Sequence, residues 1–319
     1  MRKYRRRRRM KRPGKNKTAK TVAAVVLCLV AAIVLTVIFG NYLKDKAAST
    51  RPSDQDTTDS SETAAAPDDN KNPFGANTVE AGYLDLSADA VGEKSAAEVA
   101  DVFFATSYTA ASFELRDDGG SLLYTSEVAS ALGQKSASSL DIKSLVSILS
   151  ERDVYTVGCF ESTAYTDGVK DQMYDVIVSY ESALVRELFE MGVDEILLTS
   201  VPVSTGSVDG ALEYVKAIKS SLPEGSRVGI SLPYTLLFDE GVAQVTKELS
   251  LAADFMAVDM SGFEYVDVYE DTNKFIRDNE LYISRYGMRI LLSHSDAATL
   301  SSQINALSAN AVYNWQIIN

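Results

Sequence analysis

The chain has 319 residues, enough for one large domain or two ordinary ones, and a net charge of −13. Twelve of its 31 Lys and Arg fall in residues 1–20, which hold no acid; the other 19 face 44 Asp and Glu, a balance of −25. Such an acidic body repels phosphate backbones, which argues against nucleic acid as its partner, and the two cysteines, Cys28 and Cys159, are too far apart in sequence and setting to form a disulfide framework.

In chain order, residues 1–20 read as a basic cytoplasmic tail. Residues 21–43 (TVAAVVLCLVAAIVLTVIFGNYL) carry no charge and match the roughly 20 apolar residues of one transmembrane helix. The run exceeds the apolar core of a cleaved signal peptide, about 7–15 residues, and no small-residue cleavage site follows it. An uncleaved signal anchor is expected, with the N-terminus cytoplasmic and the C-terminal body extracytoplasmic by the positive-inside rule. Residues 44–77 are rich in Ser, Thr, Asp, Ala and Pro, the composition of a flexible, disordered linker.

From residue 78 to 319, short β-branched or aromatic runs alternate with amphipathic stretches. Strands are expected at 79–86, 109–116, 154–160, 194–200, 227–232, 254–260, 288–293 and 310–317. Helices are expected at 139–151, 174–191, 208–221, 241–252, 270–285 and 296–308, with Gly192 and Gly287 as left-handed C-terminal residues. Eight such units predict an α/β fold with a parallel sheet closed into a (β/α)8 TIM barrel. A doubly wound open sheet allows the same alternation, but no glycine-rich phosphate loop follows the first strand. The last helix is expected to be missing.

A barrel gathers its site at the carboxyl ends of its strands. Those ends offer Glu114, Glu161 and Asp259 as catalytic candidates, because glycosidic cleavage uses a pair of carboxylates. Asp85, Arg116, Asp117, Tyr234, His294 and Trp315 are candidates for substrate binding, Trp315 as a sugar-stacking ring. The single His, with no Cys or second His nearby, gives no metal signal, and no cofactor motif is found.

Two segments resemble a family. ASFELRDDGGSLLYTS (111–126) is similar to the second strand of a bacterial glycoside hydrolase family of extracytoplasmic TIM barrels. Glu114 stands at its strand acid, Arg116 at its lysine, and Asp117 matches directly. MGVDEILLTSVPV (191–203) resembles the fourth strand, where Asp194, Glu195 and Ile196 fit. Thr199 and Ser200 replace an Asp-Tyr pair, Val203 falls near an arginine, and Cys159 stands where the family tends to carry arginine. The resemblance implies a membrane-anchored barrel that acts on or binds glycans or cell-wall polysaccharide. The missing fourth-strand carboxylate keeps open a non-catalytic carbohydrate-binding or scaffold protein of the envelope.

Overall fold

The computed structural model describes residues 78–319, apart from 118, 135, 166–172, 205–207 and 294–295. The expected tail, membrane span and linker lie outside the described residues; among those described, no helix is long and apolar enough to cross a membrane.

Eight strands run β1 (Glu80–Tyr83), β2 (Ala110–Glu114), β3 (Tyr155–Glu161), β4 (Glu195–Thr199), β5 (Arg227–Pro233), β6 (Phe255–Asp259), β7 (Arg289–Ser293) and β8 (Trp315–Ile318). They form a closed barrel in sequence order. Every pair is parallel, and β8 returns to β1 through Glu80↔Trp315. The helices are α1 (Ala88–Val91), α2 (Ala96–Phe104), α3 (Glu127–Ala131), α4 (Ile142–Ser150), α5 (Tyr174–Glu190) and α6 (Val208–Ser220). After a 3-10 turn (Tyr234–Phe238) follow α7 (Val242–Leu249), α8 (Val268–Asp278), α9 (Glu280–Tyr286) and α10 (Ala297–Ala309). The longer helices turn an apolar stripe to the sheet, as α4 does with Ile142, Leu145, Val146 and Leu149. Gly192 and Gly287 take positive φ, 100° and 57°, where α5 and α9 end.

Seven strands lie where the sequence puts them. The eighth starts at Trp315, not at residue 310. Residues 310–312 finish α10 instead: Ala311 takes φ 55°, and the Val312 N–H returns to the Leu307 carbonyl at 2.9 Å. Only Asn319 follows β8 in this sequence. At the seam between β8 and β1, Tyr108 lies against the outer wall. A Cβ on Gly82 would stand 2.0 Å from its ring, and the ring meets Trp315 edge-on with centroids 6.0 Å apart.

Inward side chains alternate along each strand. Val79, Ala81, Ala110, Val157, Leu197 and Leu291 fill the middle of the barrel. Its floor is ionic. Glu195, fully buried, pairs with Arg289, which is 1% exposed, and with Arg227 Nε at 3.2 Å. Tyr155 adds its hydroxyl to Glu195 at 3.2 Å. Arg289 also lies over the Phe255 ring, 4.4 Å from its centroid. Phe255 needs Gly229, since a Cβ there would come within 2.3 Å of the ring.

Candidate functional site

At the carboxyl ends of the strands the apolar filling gives way to polar side chains. Glu114, Glu161 and Asp259 end β2, β3 and β6 on inward positions, each half-buried. With Thr199, Ser200 and Ser231 they line a cavity of about 230 Å³, small against the roughly 300–1,000 Å³ of ordinary ligand pockets. Such a space suits one ring or polar group of a longer ligand. Cys159 and Ile318 complete its lining.

Each carboxylate has its own support. Glu161 Oε1 accepts the Ser200 hydroxyl at 3.0 Å, and Asp259 Oδ1 accepts the Ser261 N–H at 2.8 Å. Glu114 stands near Tyr83: burial first, then the Glu114 charge, push the Tyr83 phenol above its usual range and keep it neutral. Beneath the mouth, Cys159 is pushed up to about 12 by burial, with the Glu114 charge adding to the effect against hydrogen bonds from Ser112 and Gln316 that lower it. Cys159 is therefore a thiol and not a nucleophile.

A polar chain links this mouth to the ionic floor. Arg289 Nη1 donates to Gln316 Oε1 at 3.1 Å. Gln316 Nε2 then donates to Ser112 Oγ at 2.8 Å and to Cys159 Sγ at 2.9 Å. The chain fixes the orientation of the Gln316 amide directly under the carboxylates.

The remaining candidates are dispersed. Arg116 touches the same cavity, but its guanidinium is turned back on the scaffold. Nη1 donates to Glu181 Oε1 at 2.8 Å and to the Glu161 carbonyl at 2.9 Å, and the group lies 4.5 Å from the Phe160 ring centroid. Arg116 therefore holds the β3 end rather than a free anion site. Asp117 closes its own loop, accepting the Gly119 and Ser121 N–H groups at 2.9 and 2.8 Å. Asp85 is exposed and accepts the Ser87 N–H at 2.8 Å; it borders a separate hollow of about 170 Å³ against α2. Tyr234 begins the turn after β5 and packs on Phe263 with centroids 5.0 Å apart. His294 lies outside the described residues. Trp315 is corrected: it opens β8 at the opposite end of the barrel, 4% exposed against Tyr108, so it offers no stacking ring at the mouth.

Sequence reasoning missed the buried glutamates of α5. Glu181 accepts from Arg116, Ser162, Thr163 and Tyr214, the last at 2.7 Å. Glu187 accepts Ser126 Oγ at 2.6 Å and the Glu127 N–H at 2.7 Å. The signal was present, because Glu181 shares a helix face with the buried Leu184, Val185 and Leu188.

The closed parallel barrel and polar mouth define a TIM barrel with a carboxylate-lined cavity. No protein-family model matches the chain, and no curated protein sequence does. Solved structures do match in fold. A proposed alpha-L-fucosidase from Bacteroides thetaiotaomicron VPI-5482 superposes with a TM-score of 0.52 at 10% identity, over 76% of this chain and 88% of that one. The Bacillus cereus spore cortex-lytic enzyme SleL gives 0.49 at 9%, over 76% and 70%. A GH18 chitinase from Pseudoalteromonas aurantia gives 0.49 at 7%, over 74% and 92%. At these identities the likeness establishes the barrel, and a barrel alone does not fix an activity.

Proposed function

We propose that the chain is a membrane-tethered, extracytoplasmic glycoside-hydrolase-like barrel that acts on glycans of the cell envelope or its surroundings. Glu114 serves as the acid that protonates the leaving oxygen. Asp259 or Glu161 serves as base or nucleophile. One observation carries the reading: three carboxylates from three different strands share one cavity at the end of the barrel where such enzymes work. The fold it shares with a proposed fucosidase agrees with this chemistry. Tyr234, half-exposed on the rim, is the aromatic available to an incoming sugar. The tether is the apolar run 21–43 behind the basic tail 1–20.

Thr199 favours a second reading. It ends β4 without a carboxylate, which suits a barrel that binds glycan without cleaving it. One experiment separates the two. The full-length protein in detergent is assayed for binding and cleavage of envelope polysaccharides, beside Glu114→Gln, Glu161→Gln and Asp259→Asn. Loss of an acid or base lowers turnover by roughly 10²–10⁴-fold. A Glu114→Gln protein as active as the parent removes Glu114 from the mechanism. Binding with no cleavage in any protein establishes the binding module instead.

A further inference from the structure

Ser200 stands apart from the other residues of the mouth in its backbone. Three non-glycine residues among those described have positive φ: Asp153 at 57°, Ala311 at 55° and Ser200 at 56°. Two of these terminate helices. Asp153 follows the end of α4 and Ala311 the end of α10, and the next N–H in each case returns to the helix, Val154 to Leu149 and Val312 to Leu307. A left-handed residue is the ordinary way to finish a helix. Ser200 finishes a strand. The β3–β4 pairing runs through Glu161↔Thr199 and one bond further, from the Ser162 N–H to the Thr199 carbonyl at 3.1 Å. The chain then turns at Ser200 in a conformation disfavoured for a side chain with a Cβ.

That turn aims one group. The Ser200 hydroxyl reaches across to Glu161 Oε1 at 3.0 Å, and both residues line the cavity. The Glu161 main chain is held separately, by Arg116 Nη1 on its carbonyl at 2.9 Å. Backbone and side chain of the same carboxylate are thus fixed from two different strand ends. Among the described residues Oε2 has no protein partner, which leaves it as the oxygen available to a molecule in the cavity. Asp259 contrasts with it, because its hydrogen bond comes from Ser261 two residues along its own loop and shapes that loop.

We infer that Ser200 is a positioning residue whose strained backbone holds its hydroxyl on Glu161, and that Glu161 is thereby the partner of Glu114 in glycan cleavage. The inference rests on the hydrolase reading above and selects Glu161 over Asp259 for the second carboxylate. Backbone strain kept at a functional group is a known use of such conformations.

The test uses the full-length protein with Ser200→Ala, Ser200→Gly and Ser200→Asn, measuring thermal midpoint, kcat and KM on a cleaved glycan. Ser200→Gly relieves the backbone strain and removes the donor. It is expected to melt no lower than the parent while kcat falls about tenfold and KM stays within about twofold. Ser200→Ala loses the same donor and the same activity. Ser200→Asn tolerates positive φ and keeps a donor, so it recovers most of the lost kcat. In a Glu161→Gln background Ser200→Gly causes no further loss. A parent protein that cleaves while Ser200→Gly and Ser200→Ala match its kcat overturns the role of Ser200 and leaves the hydrolase reading standing. Additive losses in the double variant overturn it equally. A parent that cleaves no glycan overturns the hydrolase reading, and the role of Ser200 with it.

Discussion

Glu195 illustrates how a residue that fits a family pattern can belong wholly to the scaffold. It sits at the barrel floor between Arg289 and Arg227, with no solvent exposure of its own. Its neighbour Asp194 takes the Thr156 N–H at 2.9 Å and the Thr156 hydroxyl at 2.7 Å, tying β4 to the start of β3. The Asp-Glu-Ile run thus builds the end of the barrel away from the mouth, so the part of the resemblance that fits best speaks for fold. Removing Glu195 strands the Arg289 guanidinium inside the barrel, and breaking a buried pair this way costs about 3–5 kcal/mol. Glu195→Ala is therefore expected to move the urea midpoint sharply down with little change in slope; an unshifted midpoint would show that the pair is not what holds the floor together. Cys159 gives a second residue-scale expectation. Its side chain is buried, 5% exposed beneath the cavity, and burial pushes its thiol up to about 12. In a Cys28→Ser background, maleimide should label it only at the rate at which the barrel unfolds.

At the scale of elements, the alternation was legible where an element shows its period over a whole segment; α2 (Ala96–Phe104) was not expected, and the stretch 270–285 divides at Asn279 into α8 and α9. The long α5 is the clearest case, with its expected bounds, 174–191, almost those observed. What periodicity conceals is polarity on the buried face. Glu187 lies on that face and receives Ser126 Oγ together with the Glu127 and Val128 N–H groups. It satisfies donors at the start of the five-residue α3, which is too short to hold itself. Glu187→Ala leaves those donors without their acceptor, at about 1–3 kcal/mol. Hydrogen exchange should speed up at residues 126–131 before any other segment. Uniform acceleration across the barrel would assign Glu187 to global stability instead. The misplaced start of β8 has the converse cause. Val312 looks like a strand residue, yet its backbone bond to Leu307 makes it the tail of α10, and hydropathy does not register a positive φ.

For the whole molecule, the three mouth carboxylates came within reach of sequence reasoning because barrel topology converts eight strand ends into one ring. Ser200 was visible at the end of β4, but its bond to Glu161 was not, because a strained turn leaves no compositional mark. The charge division bears on placement of the chain as a whole. The segment from residue 21 onward carries 19 basic and 44 acidic residues, so an anionic bilayer surface repels it and no electrostatic adhesion holds it there. In the proposed arrangement the stable association comes from the apolar run 21–43, whose burial salt does not weaken. High salt and alkaline carbonate are accordingly expected to leave the full-length protein in the membrane fraction, whereas a chain lacking residues 1–43 should be released. In the proposed orientation, with the twelve basic residues of 1–20 on the cytoplasmic side, protease added outside intact cells should remove the domain from residue 78 onward. Release by salt alone would assign the attachment to the basic tail, and a domain protected until the membrane is opened would reverse the orientation and remove envelope glycans from its reach.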